Sequence, residues 1–430
     1  MRIFTLLLSI LLCATTATAQ PTISDKSELP RSMVRPYNKV ADAVAGDVSA
    51  SSYIYIPTEW AHNTEKSEFS SFFPMGTAWL NRQVLIRIER ASSAYELWVN
   101  NRFAGRSASG ATSAEFNVTK LAAQGRNDIV IRLIESEENK INTAYNASKP
   151  SVSGVEVICQ PTIRVRDIIC RTSLNDSGEG IAEFAVAVKC DALGRKSSKI
   201  EYTIYLNDST ELTRGVRDIA LDMRREDTVR FFTRVPRIGL WKASSPHTIR
   251  LDLCNRVEGR PAEYISRQVG IRNAKLSMQR VYINRVNASL QAVDYTGEES
   301  LDSIMGRGVT SIFITADKAT EALLTECDHR GLYVIVCAPI ETSPFGSSIK
   351  RDGNPTNDPA WSEIFAELNA SAYHTTKHHP CVVGYAIGRG KTNGINIYES
   401  YLLMKALEKE LPIIYEGADG EWCSDKLSFR

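Results

Sequence analysis

The 430-residue chain has no surplus of either charge: 51 Lys and Arg stand against 50 Asp and Glu, for a net charge of +1. That balance excludes the basic footprint of a nucleic-acid binder and the polybasic patch of a protein held on an anionic membrane. Long apolar runs are lacking as well. The one concentrated stretch, Ile3 to Leu12, is too short to cross a bilayer, and nothing later approaches the roughly 18 residues that a transmembrane segment requires. No cysteine pair shows C-x-x-C spacing, and His374, His378 and His379 match no dedicated zinc pattern. Gly388-Arg389-Gly390-Lys391-Thr392 ends like a phosphate loop but lacks the G-x-x-x-x-G-K-[ST] spacing. No cofactor and no metal is therefore expected.

What is present begins with a leader. Arg2, the apolar run and Ala17-Thr18-Ala19 before Gln20 give residues 1–19 the form of a secretory signal peptide. An exported protein is expected, in the periplasm, on the outer surface or outside the cell. Eight cysteines follow the leader: Cys159, Cys170, Cys190, Cys254, Cys327, Cys337, Cys381 and Cys423. An oxidising compartment permits disulfides, although spacing does not reveal their connectivity. As free thiols they would behave as small buried hydrophobes. At roughly 150 residues per domain the length predicts about three domains, and 43% hydrophobic residues suffice for their cores.

The hydrophobic period divides the chain. Residues 20–165 alternate with period two: Val84, Ile86 and Ile88 face one way, and Arg87 and Glu89 the other, as in a half-buried strand. Tyr95, Leu97 and Val99 repeat the pattern up to Asn100-Asn101, residues that tolerate the left-handed turn of a hairpin. Further strands are expected at Phe116–Val118 and Ile129–Leu133, the latter entered from a turn at Gly125–Asp128. Residues 166–274 carry strands at Ala182–Val188, Ile200–Leu206, Thr228–Phe232 and Ile249–Leu253, spaced as in an immunoglobulin-like sandwich. Trp241 is read as a packing residue. From Lys275 strands and helices alternate. The strands are Leu290–Asp294, Val309–Thr315, Tyr333–Val336, Cys381–Ile387 and Ile413–Tyr415. A helix capped by Asp317 ends at Gly331, another opens at Asp358-Pro359, and a third runs from Ile397 to Glu410. The fold class is thus multidomain β plus α/β: a jelly-roll sandwich, an immunoglobulin-like sandwich and a partial (β/α) barrel over residues 275–430.

Several motifs resemble glycoside hydrolase family 2, the β-galactosidases and β-glucuronidases. Tyr95–Gly105 is similar to the V-N-G-K-x-V-G hairpin of that family's sugar-binding jelly roll. Ile163–Thr172, Leu240-Trp241 and Arg267–Arg272 resemble the signposts around its immunoglobulin-like domain. His379-Pro380-Cys381 to Gly390 resembles the acid/base strand N-H-P-S-(apolar)-W-S-L-G-N-E, so the histidines before Pro380 read as an ordinary lead into a strand. By this resemblance Arg389 stands at the asparagine position and Gly390 at the catalytic glutamate. The exits at Asp294, Asp317 and Cys337 also depart from the family pattern, and the nucleophile strand would lie beyond Arg430.

Hydrolysis of this type needs two carboxyl groups flanking the scissile bond. No catalytic residue is therefore assigned, and a non-hydrolysing, carbohydrate-binding or cell-envelope scaffold protein is expected. Its partner would be a carbohydrate or an envelope protein, or other copies bound through the open half-barrel. Nucleic acid is not expected. The alternative is an active O-glycosyl hydrolase using surviving acids near the strand exits, of which Glu341 and Glu416 form the best pair, with Asp294 and Asp317 nearby.

Overall fold

A computed structural model describes residues 28–207, 209–346, 354–418 and 422–429. The leader at 1–19 lies outside the described residues. Two facing antiparallel sheets make the first sandwich. One orders Ile54–Tyr55, Val152–Gln160, Gln83–Ala91 and Ala114–Asn117; the other orders Ala61–Asn63, Glu68–Met75, Gly125–Ile134, Ala94–Val99 and Arg102–Ser107. Alternate residues of both meet in a core containing Phe73, Ile86, Leu97, Phe116 and Ile131. Asn100 and Asn101 have φ of 52° and 60°, the two-residue turn with both central residues left-handed that matches strand twist. The expected turn at Gly125–Asp128 is instead strand, paired with Phe72–Met75. Asn127 closes the bend just before it, donating to the carbonyl of Ala123 and accepting from its N–H.

Arg87 corrects the alternation argument, because it points away from the core yet is buried. The outer face of its sheet is covered by the segment at residues 28–37. Arg31 reaches Glu115 at 2.8 Å and the carbonyl of Arg166 at 2.7 Å, and Arg87 meets the same Glu115 at 3.2 Å. Glu28 accepts from Arg164 and Lys189, each at 2.8 Å, and Ser32 donates to Asp167. This segment thus ties the first sandwich to the second. Buried charge persists only when paired and hydrogen-bonded. Here the burial that would raise the Glu115 carboxyl is outweighed by Arg31 and Arg87, which bring it down to about 2.

The second sandwich packs a three-stranded sheet, Ile163–Leu174, Gly180–Cys190 and Glu226–Val235, on a four-stranded one. That sheet orders Glu211–Leu221, Lys196–Tyr205, Ile249–Val257 and Arg260–Val269. Seven antiparallel strands in this split are the immunoglobulin-like arrangement. Phe231 sits between Phe184 and Tyr202, with ring centroids 5.4 Å and 3.8 Å away. Trp241 is fully buried and its indole N–H donates to the carbonyl of Asp328 at 2.9 Å, so it fastens this sandwich to the third unit.

The third unit is a parallel five-stranded sheet taken in chain order: Ala292–Asp294, Ser311–Thr315, Tyr333–Cys337, Val382–Ala386 and Ile413–Ile414. Consecutive parallel strands joined by helices follow the path of a (β/α) barrel, and five of its eight strands are seen. The helix Glu321–Arg330 is capped by Thr320, whose hydroxyl accepts from Leu323 N, and not by Asp317. Both residue types suit a cap, but Asp317 is engaged by Thr143 of the first sandwich. Gly331 ends the helix at φ 70°. Asp358 accepts from Ala360 N at 3.0 Å ahead of the helix Ser362–Thr376. The last helix spans Ile395–Leu407. All eight cysteines of the described residues are free thiols, seven of them buried.

Candidate functional site

In barrels of this kind chemistry gathers where strands end at the C-terminal face. Here that face holds a cleft of about 500 Å³, lined by Asp294, Phe313, Arg389, Tyr415, Glu416 and Asp425 among others. Asp294 ends the first strand and is ion-paired with Arg389 after the fourth. The guanidinium lies over the Phe313 ring, 5.0 Å from its centroid, which fixes it across the cleft floor. Glu416 is exposed at the rim.

Glu341 does not line this cleft. Its carboxylate accepts from the N–H of Ser343 at 2.8 Å, and its own N–H donates to Ile141 of the first sandwich at 2.8 Å. Asp317 accepts from Thr143 at 2.9 Å, while its carbonyl takes a bond from Arg90. Of the four acids expected at this face, Asp294 and Glu416 share the cleft, and Glu341 and Asp317 are turned onto local or inter-domain partners. A retaining pair of carboxyls stands about 5–5.5 Å apart and an inverting pair about 6.5–9.5 Å. Burial is what keeps the acid of such a pair protonated, and neither Asp294 nor Glu416 is buried.

The surroundings of residue 390 are closed. The exits of the third and fourth strands are joined by main-chain bonds, Arg389 N to Ile340 O at 2.8 Å and Thr342 N to Arg389 O at 3.0 Å. Gly390 has φ +143°, a backbone conformation that side-chain-bearing residues rarely adopt. A Cβ there would stand 2.0 Å from Thr342 Oγ1 and 3.1 Å from the Tyr415 hydroxyl. Thr342 Oγ1 is itself held on the carbonyl of Arg389 at 3.1 Å, and Tyr415 donates to the carbonyl of Thr392 at 2.9 Å. Burial pushes the Tyr415 hydroxyl up to about 12, so it stays neutral. The third exit is equally apolar in character: Cys337 is buried, and desolvation raises its thiol to about 12.

The histidines lie at the opposite end of the strands. His378 and His379 precede Val382–Ala386 and meet Glu321, a carboxylate that the sequence reading did not connect with them. Burial, then repulsion by His379, pull His378 down to about 4. Burial would lower His379 too, but its hydrogen bonds to Asp328 and Glu321 outweigh this and raise it to about 9. His374 stands apart, against Lys377.

Two domain descriptions of one family match the chain: "Glycosyl hydrolases family 2, sugar binding domain" over residues 41–145, and "Glycosyl hydrolases family 2, TIM barrel domain" over 318–428. Among curated relatives, a beta-galactosidase of Priestia megaterium is 24% identical over 375 residues, covering 80% of this chain and 36% of that protein. A beta-galactosidase of Yersinia enterocolitica is 26% identical over 393 residues, covering 84% and 37%. The chain therefore spans little more than a third of the length of these relatives. Among solved structures, Bacteroides uniformis beta-glucuronidase superposes with a TM-score of 0.65 at 14% identity, covering 90% of this chain and 52% of that one. A glycosyl hydrolase family 2 member from Bacteroides cellulosilyticus gives 0.64 at 15%, covering 81% and 49%.

Proposed function

Because the chain belongs to glycoside hydrolase family 2, we propose that it is an exported member that does not hydrolyse glycosides but binds carbohydrate or acts as a cell-envelope scaffold. The observation that supports this most is the packing around Gly390. The family resemblance puts a proton-donating glutamate at that position, whereas the glycine here has a left-handed φ and Thr342 Oγ1 in the space of a Cβ. The position is committed to having no side chain. A cleft remains, with a fixed guanidinium and an aromatic ring, Arg389 and Phe313, that suit the hydroxyls and the apolar face of a sugar. Export rests on the leader-like residues 1–19.

The test is turnover by purified protein at high concentration on aryl β-galactosides and aryl β-glucuronides, alongside calorimetric titration with the parent sugars. No turnover is expected, with weak binding that Arg389→Ala reduces. Sustained hydrolysis that Glu341→Gln or Glu416→Gln abolishes would overturn the proposal in favour of an active O-glycosyl hydrolase.

A further inference from the structure

Glu321 opens the helix Glu321–Arg330, and His378 and His379 close the loop before the strand Val382–Ala386. One carboxylate oxygen and two imidazole nitrogens come together there, all within 4.8 Å of one another. His378 Nε2 is 3.1 Å from Glu321 Oε1, and His379 Nε2 is 3.4 Å from Glu321 Oε2. A tetrahedral ion with bonds of about 2.0–2.2 Å holds its ligand atoms roughly 3.3–3.6 Å apart, the edge of the tetrahedron. Through Oε2 alone the carboxylate stands 3.2 Å from His378 Nε2 and 3.4 Å from His379 Nε2, close to that edge, and the ligand atoms of the three residues lie within 4.8 Å of one another.

Two further observations point to a bound cation. First, the rear nitrogen of His379 is fixed: Nδ1 donates to Asp328 Oδ2 at 2.6 Å, and Asp328 Oδ1 accepts the N–H of Cys381 at 2.9 Å. A carboxylate behind an imidazole is the arrangement that sets tautomer and ring direction for a metal-ligating histidine, leaving Nε2 to the ion. Second, the three groups border a cavity of about 220 Å³ whose far walls include Tyr37, Thr248 and Arg267. A water in a fourth coordination position has room there. Two imidazoles and a carboxylate suit zinc-class ions and not magnesium or calcium, which take oxygen ligands. Arg35 and Arg267, the latter held on Ser32 Oγ at 3.1 Å, are adverse charges on this cavity and temper the affinity.

We propose that Glu321, His378 and His379 form a three-ligand site for a divalent transition-metal ion of the zinc class, with Asp328 as the positioning residue behind His379 and the fourth position open to the cavity. The site does not depend on the carbohydrate reading, since it lies at the other end of the strands. The expectation of no metal rested on the spacing of the histidines alone, and Glu321 stands 57 residues before His378.

The experiment takes the full chain, strips it with a chelator, and titrates it with Zn2+ alone by calorimetry and with Co2+ alone by visible absorption. One equivalent of Zn2+ is expected, together with the d–d bands of a low-symmetry Co2+ site that Zn2+ bleaches. Asp328→Asn should weaken binding by about 10- to 100-fold, as loss of an outer-shell partner does. Glu321→Gln and His378→Gln should weaken it further, and His374→Gln should leave it unchanged. Absence of stoichiometric Zn2+ binding by the folded unsubstituted chain overturns the proposal, and that readout needs no variant to fold. Binding that persists in both Glu321→Gln and His378→Gln also overturns it, by placing the ion elsewhere.

Discussion

The closure around residue 390 gives a stability experiment with a calculable size. Gly390→Ala adds one methyl at a point 2.0 Å from Thr342 Oγ1, where a separation of well over 3 Å is normal, and forces a side-chain-bearing residue to φ +143°. Holding such a residue in a left-handed, glycine-favoured conformation costs of order 1–3 kcal/mol. Overpacking a filled site costs about 1–3 kcal/mol more. The substitution should therefore destabilise by about 2–6 kcal/mol, read from the shift in urea midpoint with circular dichroism. Thr342→Ala alone should cost about 0.5–1.5 kcal/mol, the value of its hydrogen bond to Arg389 O. The double variant separates the two terms. Removing Oγ1 relieves the overlap but not the backbone strain, so Gly390→Ala with Thr342→Ala should be about 1–3 kcal/mol more stable than the sum of the singles. A Gly390→Ala change within about 0.5 kcal/mol, the range of an ordinary surface substitution, would refute the reasoning. Additive effects in the cycle would refute the assignment of the clash to Thr342.

The Glu115 carboxyl, brought from 4.5 down to about 2 by Arg31 and Arg87 against its burial, makes stability pH-dependent. A depressed folded-state pKa stabilises fully above the unfolded value and loses that contribution as pH falls through the folded one. About 3 kcal/mol should thus disappear between roughly pH 5 and pH 2, and the acid limb of the melting profile should flatten in Glu115→Gln. That variant itself, measured at neutral pH, should be less stable by about 3–5 kcal/mol, because it leaves buried guanidinium groups uncompensated. Trp241→Phe keeps most of the buried ring but strands the carbonyl of Asp328, costing about 1–3 kcal/mol, whereas Trp241→Ala should cost about 3–5 kcal/mol. A Trp241→Phe variant as stable as the unsubstituted chain would count against the indole hydrogen bond.

Much of this architecture is legible in local periodicity. Alternating strands around Ile86, Leu97 and Val186, the Asn100-Asn101 turn and the strand–helix alternation after Lys275 each need only neighbours in sequence to be recognised. What escaped depends on distant residues. Glu211–Leu221 is an edge strand with only Leu221 buried, so it shows no clean alternation to detect. The burial of Arg87 is caused by a cover contributed from residues 28–37. Choosing Thr320 over Asp317 as a helix cap required knowing that Thr143 claims the aspartate. At the cleft the sequence placed Asp294, Arg389, Gly390 and Glu416 near one face. It could not show that Glu341 turns to Ser343, nor that Thr342 fills the space beside Gly390. The meeting of Glu321 with His378 and His379 is likewise a product of folding alone.

The segment at residues 28–37 bears on how such a chain is made. Synthesis delivers Glu28, Arg31 and Ser32 early, while Glu115, Arg164, Asp167 and Lys189, which neutralise or bind them, emerge much later. A charge cannot enter a dry interior ahead of its counterion, so these first side chains must remain hydrated until both sandwiches have closed. Made ahead of its counterions, this stretch is then among the last to settle, and it locks the junction between the two sandwiches.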